Sequence, residues 1–304
     1  MRMKVFRLLR QTRHRYDVLR ALTQGFTLGV LAGVPLLGLA RVDVWGGRHY
    51  LLGEPAPWKH ALAGVIAGIA AMYVVTFLSN LVAGRLFCGW GCPVGQVSRF
   101  GEAVETPGLS RTQRAWRHAA GAAYSGAFCL SIMAWWVDLR VLWLGGWPAA
   151  GWAWGVLTVG VAGAYAHGRW WRWAFCKQAC PIGLYYTFVA ASKHFGIHFR
   201  NQQSTCIDCD ACDHVCPVDL LPRELMTPIA SRGGLSVHDA PGRNHCLECG
   251  DCVRACEKMI DLRGHPPVPL RLGYYRGPQR VLTRPPRGGE KITGADLTAA
   301  ESSA

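Results

Sequence analysis

Four uncharged apolar runs punctuate the N-terminal part of the chain, at 22–40, 61–84, 119–137 and 150–167. Each approaches the roughly 20 residues with which an α-helix crosses the hydrocarbon core of a bilayer, and none contains Asp, Glu, Lys or Arg. The pattern predicts four transmembrane helices, the alternative being buried core helices of a soluble protein. Trp135, Trp136, Trp143, Trp147, Trp152 and Trp154 bracket the last two runs, as interfacial aromatics do. The fourth run is the shortest and is expected to gain length from Trp170, Trp171 and Trp173. From Gly168 the pattern turns polar. Three regions follow: a membrane domain over 1–195, a small α+β domain over 196–265, and a Pro-rich and then small-residue tail over 266–304 that is expected to lack fixed structure.

Composition sharpens this picture. Half of the 304 residues are hydrophobic and only 17 % are charged, which excludes a disordered chain. The formal charge of +14 is distributed unevenly: seven Lys and Arg fall in residues 1–20 and five in 85–118, against three in 41–60 and one in 138–149. Cytoplasmic loops collect positive charge, so both termini are predicted in the cytoplasm, with the chain as a multi-pass membrane protein. The basic loops account for the charge without nucleic-acid binding. A cleaved signal peptide is the competing reading of the first run, but its 19 apolar residues exceed a normal h-region, so it is expected to remain as an anchor. All eleven His lie outside the apolar runs apart from the edge residue His167, so no pair is expected to hold haem b between helices. The absence of charges within the runs argues against an ion pathway.

The cysteines carry the clearest chemistry. Cys206-x2-Cys209-x2-Cys212-x3-Cys216-Pro217 and Cys246-x2-Cys249-x2-Cys252-x3-Cys256 repeat the spacing that gives three thiolates to one cubane and the fourth to its neighbour. One [4Fe–4S] cluster is therefore expected on Cys206, Cys209, Cys212 and Cys256, and the other on Cys246, Cys249, Cys252 and Cys216. Glu257 stands where a proline is expected after the second motif. Zinc sites usually show separated Cys-x2-Cys pairs, and disulfides are out of place in a cytoplasmic segment. The tail thus reads as an electron relay, with no substrate pocket visible in it.

A second repeat lies upstream. Arg85-Leu-Phe-Cys-Gly-Trp-Gly-Cys-Pro-Val-Gly aligns with Trp173-Ala-Phe-Cys-Lys-Gln-Ala-Cys-Pro-Ile-Gly at an offset of 88, so each hairpin of apolar runs ends in Cys-x3-Cys-Pro on the cytoplasmic side. Two readings stand for Cys88, Cys92, Cys176 and Cys180. They are sulfur ligands for iron or a further cluster at the membrane edge, or they are redox-active or structural thiol pairs. Cys129, mid-run and without a partner, is expected to pack. His49, His60, Trp58, Arg41 and Asp43 in or beside the first outer loop read either as a quinone-headgroup border or as ordinary interfacial residues.

With two Cys-x3-Cys-Pro motifs at helix ends and a paired ferredoxin tail, the sequence resembles the NapH/MauN family of membrane-bound ferredoxin-type proteins over roughly residues 15–260. The resemblance implies four transmembrane helices, two cytoplasmic [4Fe–4S] clusters and electron flow from the quinol pool towards periplasmic redox systems of the nitrate reductase or methylamine dehydrogenase maturation kind. It implies a quinol dehydrogenase subunit, with another iron–sulfur or c-type cytochrome protein as partner. Val42-Asp43-Val44-Trp45-Gly46-Gly47 and Cys88-Gly-Trp-Gly-Cys92-Pro also look like the related iron–sulfur proteins that reduce copper during oxidase assembly, so a metal reductase or maturation factor is the alternative. A structural anchor for a partner complex is a third reading.

Overall fold

The computed structural model describes residues 12–106, 108–189, 195–199, 206, 209–226, 229–231, 234–236, 242–263 and 268–274. It is mostly helical and divides into two compact units. One comprises residues 20–77 and 90–179; the other comprises residues 1–19, 78–89 and 180–304.

The unit formed by 20–77 and 90–179 contains most of the long helices. Helix α1 (Thr12–Leu36) stops four residues short of the end of its apolar run. Ala40–Arg41 (β1) there joins Tyr50–Leu51 (β2) and Glu54–Pro55 (β3) in a small antiparallel sheet. Helix α2 (Trp58–Ala83) follows, then α3 (Leu86–Trp90) and α4 (Pro93–Glu105), the latter opened by Pro93 of the first Cys-Pro pair, where a missing N–H costs nothing.

Helix α5 (Arg111–Met133) begins at a capping box in which Ser110 and Gln113 satisfy each other's backbone N–H groups. Arg111, Arg114, Arg117 and His118 therefore occupy its first turns. The expected third span overran at its other end. Residues 134–137 leave the helix, and the carbonyls of Trp135 and Trp136 accept from the backbone N–H groups of Val42 and Val44, each at 3.0 Å. Among the described residues, three stretches are long and apolar enough to cross a membrane: Arg15–Leu36, Trp58–Ala83 and Ala149–Val189.

The last stretch starts with α6 (Val141–Leu144) just upstream and runs through α7 (Ala149–Ala166), a π-helical turn at His167–Trp171 and α8 (Arg172–Gln178). Trp173 corrects the expectation of an interfacial aromatic. It is only 4 % exposed and its indole donates to Glu102 Oε1 at 2.5 Å, whereas Trp170 and Trp171 face outward. Helix α4 packs on the π-helical turn so closely that a Cβ on Gly101 would lie 1.7 Å from the Gly168 carbonyl oxygen.

The other unit holds helix α9 (Pro181–Val189) and the polar segment. Strand β4 (Phe195–Phe199) pairs antiparallel with the strand at Leu270–Tyr274, Phe195 opposite Tyr274 and Phe199 opposite Leu270. Between them in sequence come α10 (Ala211–His214), α11 (Pro222–Leu225), a hairpin of β5 (Ile229–Ser231) and β6 (Gly234–Ser236), a 3-10 turn at Arg243–His245 and α12 (Asp251–Arg263); Leu270–Tyr274 is β7. Ile197, Phe199, Met226, Val253 and Leu270 make the core, joined by Cys246 and Cys252. The expected disordered tail is thus corrected at its start. Leu270 and Leu272 carry apolar side chains into this core, so 270–274 belong to the fold, while 275–304 lie outside the described residues.

Candidate functional site

The ferredoxin-type cysteines stand on loops that left-handed backbone bends sharply. Asp210, Asp219 and Glu248 have φ of 53°, 52° and 51°, and Gly250 has 81°, so each motif turns beside its own ligand candidates. Sulfurs of the two motifs lie near one another. Cys212 and Cys256 each feel the charge of Cys206, and Cys256 also that of Cys209. Cys252 feels Cys249, Cys246 and Cys216, and also Cys212.

Cys206, Cys209, Cys212 and Cys256 line one cavity with Phe199, Ile260 and Leu270, and the Arg223–Asp210 ion pair at 2.7 Å stands at its rim. Cys246, Cys249 and Cys252 are each 5 % exposed. Burial is the largest cause that pushes the thiols of Cys212, Cys216, Cys246, Cys252 and Cys256 upward, Cys256 to about 12. Thiols in such surroundings become thiolates only beside a compensating cation, which suits iron.

Backbone donors point at these sulfurs. Leu220 N–H donates to Cys216 Sγ at 3.3 Å and Glu248 N–H to Cys246 Sγ at 3.4 Å, the hydrogen bonds that stabilise charge on cluster sulfurs. Among the described residues no three Cys, His, Asp or Glu groups converge tightly enough to grip a single metal ion. The donor set, the cysteine-lined cavity and the N–H to sulfur bonds together fit the larger cubane.

The upstream motifs divide between the units. Cys88 and Cys180 belong to one, and Cys92 and Cys176 to the other. Cys88 lies close enough to Cys180 to feel its charge. Burial pushes Cys88 up, and the Arg85 guanidinium beside it pulls down. Gly183 N–H donates to Cys180 Sγ at 3.3 Å. In the other unit, Gln24 of α1, only 5 % exposed, reaches the carbonyls of Trp90 and Cys92, and Tyr124 O–H donates to Gln24 Oε1 at 2.9 Å. Cys129 packs against Gly160, as expected of a core thiol.

Several residues of this arrangement escape motif reading: Arg85, Gly89, Arg243, Glu248 and Gln24. A signal existed for two of them. Arg85 and Gly89 are positions where the offset-88 repeat breaks, to Trp173 and Lys177. In the outer loop, Asp43 accepts from the Trp45 and Gly46 N–H groups, and Arg41 pairs with Asp138 at 3.3 Å while lying over the Tyr50 ring. Two of the five outer-loop candidates thus hold the loop together.

Comparison with known proteins follows this geometry. A family model described as a 4Fe-4S binding domain matches residues 65–103 and 150–198, the two arms that carry Cys88, Cys92, Cys176 and Cys180. The chain is 25 % identical over 274 residues to the ferredoxin-type protein NapH of Escherichia coli, covering 81 % of this chain and 88 % of that protein. It is 29 % identical over 222 residues to the methylamine utilization ferredoxin-type protein MauN of Methylorubrum extorquens, covering 67 % and 75 %.

The chain is similar to the NapH and MauN ferredoxin-type proteins. Similarity also extends to the protein RdxA of Cereibacter sphaeroides, 22 % identical over 261 residues and covering 74 % of this chain but 51 % of RdxA. No solved structure matches. The likeness to these ferredoxin-type proteins, the 4Fe-4S binding-domain match and the long apolar helices support a membrane-associated ferredoxin-type electron-transfer protein with iron–sulfur clusters.

Proposed function

We propose that this protein takes electrons from the quinol pool and passes them through two [4Fe–4S] clusters to a redox partner of the iron–sulfur or c-type cytochrome class. It does so from the bacterial inner membrane, with four spans and both termini in the cytoplasm. The carrying observation is the cavity that Cys256 of the second motif lines together with Cys206, Cys209 and Cys212 of the first, with Cys216 near Cys252. Those first four are the proposed ligands of one cluster, and Cys246, Cys249, Cys252 and Cys216 those of the other. A cluster so held supplies reversible one-electron exchange. Oxidation of one quinol yields a quinone, two protons and two electrons, so two one-electron sites match the donor.

The chain's own residues do the rest. Burial of Cys246, Cys249 and Cys252 excludes water, and the N–H groups of Glu248 and Leu220 favour negative sulfur. NapH and MauN, the latter named for methylamine utilization, support a terminal system of the nitrate reductase or methylamine dehydrogenase maturation kind. Iron at Cys88, Cys92, Cys176 and Cys180 is proposed as a further site, supported by the family match over both arms.

Anaerobic purification in detergent, with iron and sulfide analysis, EPR, and addition of a quinol analogue, tests the reading. The expected result is about eight irons for the two clusters, more if the further site is filled, with EPR signals appearing on quinol addition. Clusters that dithionite reduces and quinol leaves oxidised would overturn the quinol donor. Re-oxidation by copper(II) with no protein partner would favour the metal-reductase alternative.

A further inference from the structure

The second ferredoxin motif is in intimate contact with the first copy of the Cys-x3-Cys-Pro repeat. A Cβ placed on the buried Gly89 would stand 2.2 Å from the Leu247 carbonyl oxygen, 3.1 Å from Cys249 Cα and 3.2 Å from Cys249 Cβ. The residue next to Cys88 therefore rests directly on the turn between Cys246 and Cys249, and only glycine leaves room for it.

Arg85, 1 % exposed, reinforces the contact. Its Nη1 donates to the His245 carbonyl at 3.4 Å and to Thr187 Oγ1 at 3.3 Å, and the same guanidinium lies beside the Cys88 thiol. The N-terminal end of α1 meets this motif as well. Tyr16 packs where a Cβ on Gly250 would lie 3.0 Å from its ring, and Asp17 pairs with Arg254 at 2.8 Å. Cys206, Cys209 and Cys212 are half-buried around their own cavity.

The second copy of the repeat does not reproduce the arrangement. It places Lys177 where the first has Gly89, and Trp173 where the first has Arg85. A lysine has no means of matching a backbone approach that excludes even a methyl group.

We infer that Gly89 and Arg85 are positioning residues that make the cluster of Cys246, Cys249, Cys252 and Cys216 the entry point for electrons. The cluster of Cys206, Cys209, Cys212 and Cys256 is then the exit towards the partner. This rests on the relay reading above and adds the order of its steps. With both clusters bound, an electron released by quinol would pass the Cys88–Gly89 turn to the cluster held by Cys249, then to the one held by Cys206, and leave to a one-electron acceptor, while the two protons of the quinol are released to water. The Arg85 charge, beside the first of these positions, favours the electron's arrival.

The test uses the full-length protein in detergent, with single-cluster backgrounds made by Cys209→Ala, which leaves the Cys246-type cluster, and Cys249→Ala, which leaves the Cys206-type cluster. Redox titrations followed by EPR are run with and without Gly89→Ala, and with Arg85→Lys, which keeps the charge but not the forked reach. Both substitutions are expected to shift the midpoint potential and line shape of the signal surviving in Cys209→Ala, and to leave the signal in Cys249→Ala unmoved. A shift confined to the Cys249→Ala background, or no shift in either, would overturn the inference. If Gly89→Ala loses the Cys246-type cluster altogether while the other persists, that localised loss supports the contact, and Arg85→Lys supplies the potential.

The order is read with a quinol analogue. Quinol is expected to reduce the surviving cluster of Cys209→Ala and to fail with that of Cys249→Ala, and Gly89→Ala in the intact protein should slow reduction of both clusters at least tenfold, with dithionite still reducing both. The reverse pattern overturns the order. Quinol that reduces neither cluster in the unmodified protein defeats the donor assignment instead, and the potential shifts then decide the contact alone.

Discussion

Arg243 and Glu248 meet at 2.9 Å with both side chains wholly shielded from solvent, and each also holds one backbone group of Ile197. Arg243 Nη2 donates to the Ile197 carbonyl at 3.0 Å, and Glu248 Oε2 accepts from the Ile197 N–H at 2.7 Å. The pair therefore satisfies the open edge of β4, as a third strand would, and ties it to the turn between Cys246 and Cys249. Glu248 accepts left-handed backbone to do this, at φ 51°.

Removing one member should leave the other as an uncompensated buried charge. Arg243→Met is expected to destabilise the loop by about 3–5 kcal/mol, seen as early thermal loss of the EPR signal of the Cys246-type cluster. Adding Glu248→Gln should restore part of that loss, because the double variant buries no net charge. A single variant with unchanged thermal loss would show that the pair contributes nothing to holding the loop.

Both charges sat in plain view in the sequence, yet nothing local marked them as partners. Ligand spacing is a local property, so the eight tail cysteines stand out from the register alone, and the crossing proposed for them is read from the same spacing. The β4–β7 pairing joins Phe195–Phe199 to Leu270–Tyr274 across the whole domain, and non-local pairing leaves no spacing to read. That is why 270–274 read as tail and why the role of Glu248 stayed hidden. The third helix failed differently. Ser110-x-x-Gln113 is a capping-box signature that marks its start, but an apolar count alone passes over it, and its end at Met133 depends on the tertiary bonds from Val42 and Val44.

The crossed ligand sets make a prediction of their own. Cys216→Ser should damage the site of Cys246, Cys249 and Cys252, and Cys256→Ser the site of Cys206, Cys209 and Cys212. Iron counts with reduced-state EPR on the two purified variants would check this, since each should lose one distinct signal. Loss of the Cys206-type signal in Cys216→Ser would show that each motif serves its own cluster.

Membrane topology can be read with reporter fusions. The Lys and Arg bias predicts alkaline phosphatase activity after residues 45 and 145, and none after 110 or 265. The fusion at 145 matters most, because α5 begins with Arg111, Arg114 and Arg117 and offers only residues 119–133 as an uncharged crossing. An inactive reporter at 145 beside an active one at 45 would mean that α5 stays on the cytoplasmic side. An active reporter at 265 would remove the tail clusters from the cytoplasm.

The membrane-edge cysteines offer the last prediction, and the arrangement separates the two readings of the repeat. If Cys88, Cys92, Cys176 and Cys180 hold iron together, each Ser replacement should remove the same iron and the same quinol-driven reduction, since a four-sulfur site does not survive on three thiolates unchanged. Independent thiol chemistry predicts a split instead. Cys88 and Cys180, which lie near each other within one unit, would then fail together, whereas Cys92, whose carbonyl Gln24 braces, and Cys176 would fail separately or not at all. Cys129→Ser is the control. Its sulfur packs against Gly160 at the α5–α7 contact, so replacement should leave iron content and quinol oxidation unchanged. Iron per chain and quinol-driven EPR amplitude in the five variants decide the matter, because a shared site requires four identical losses. Full activity in Cys92→Ser beside none in Cys88→Ser would refute the shared site and leave Cys88 and Cys180 as a separate reactive pair beside the cluster loop.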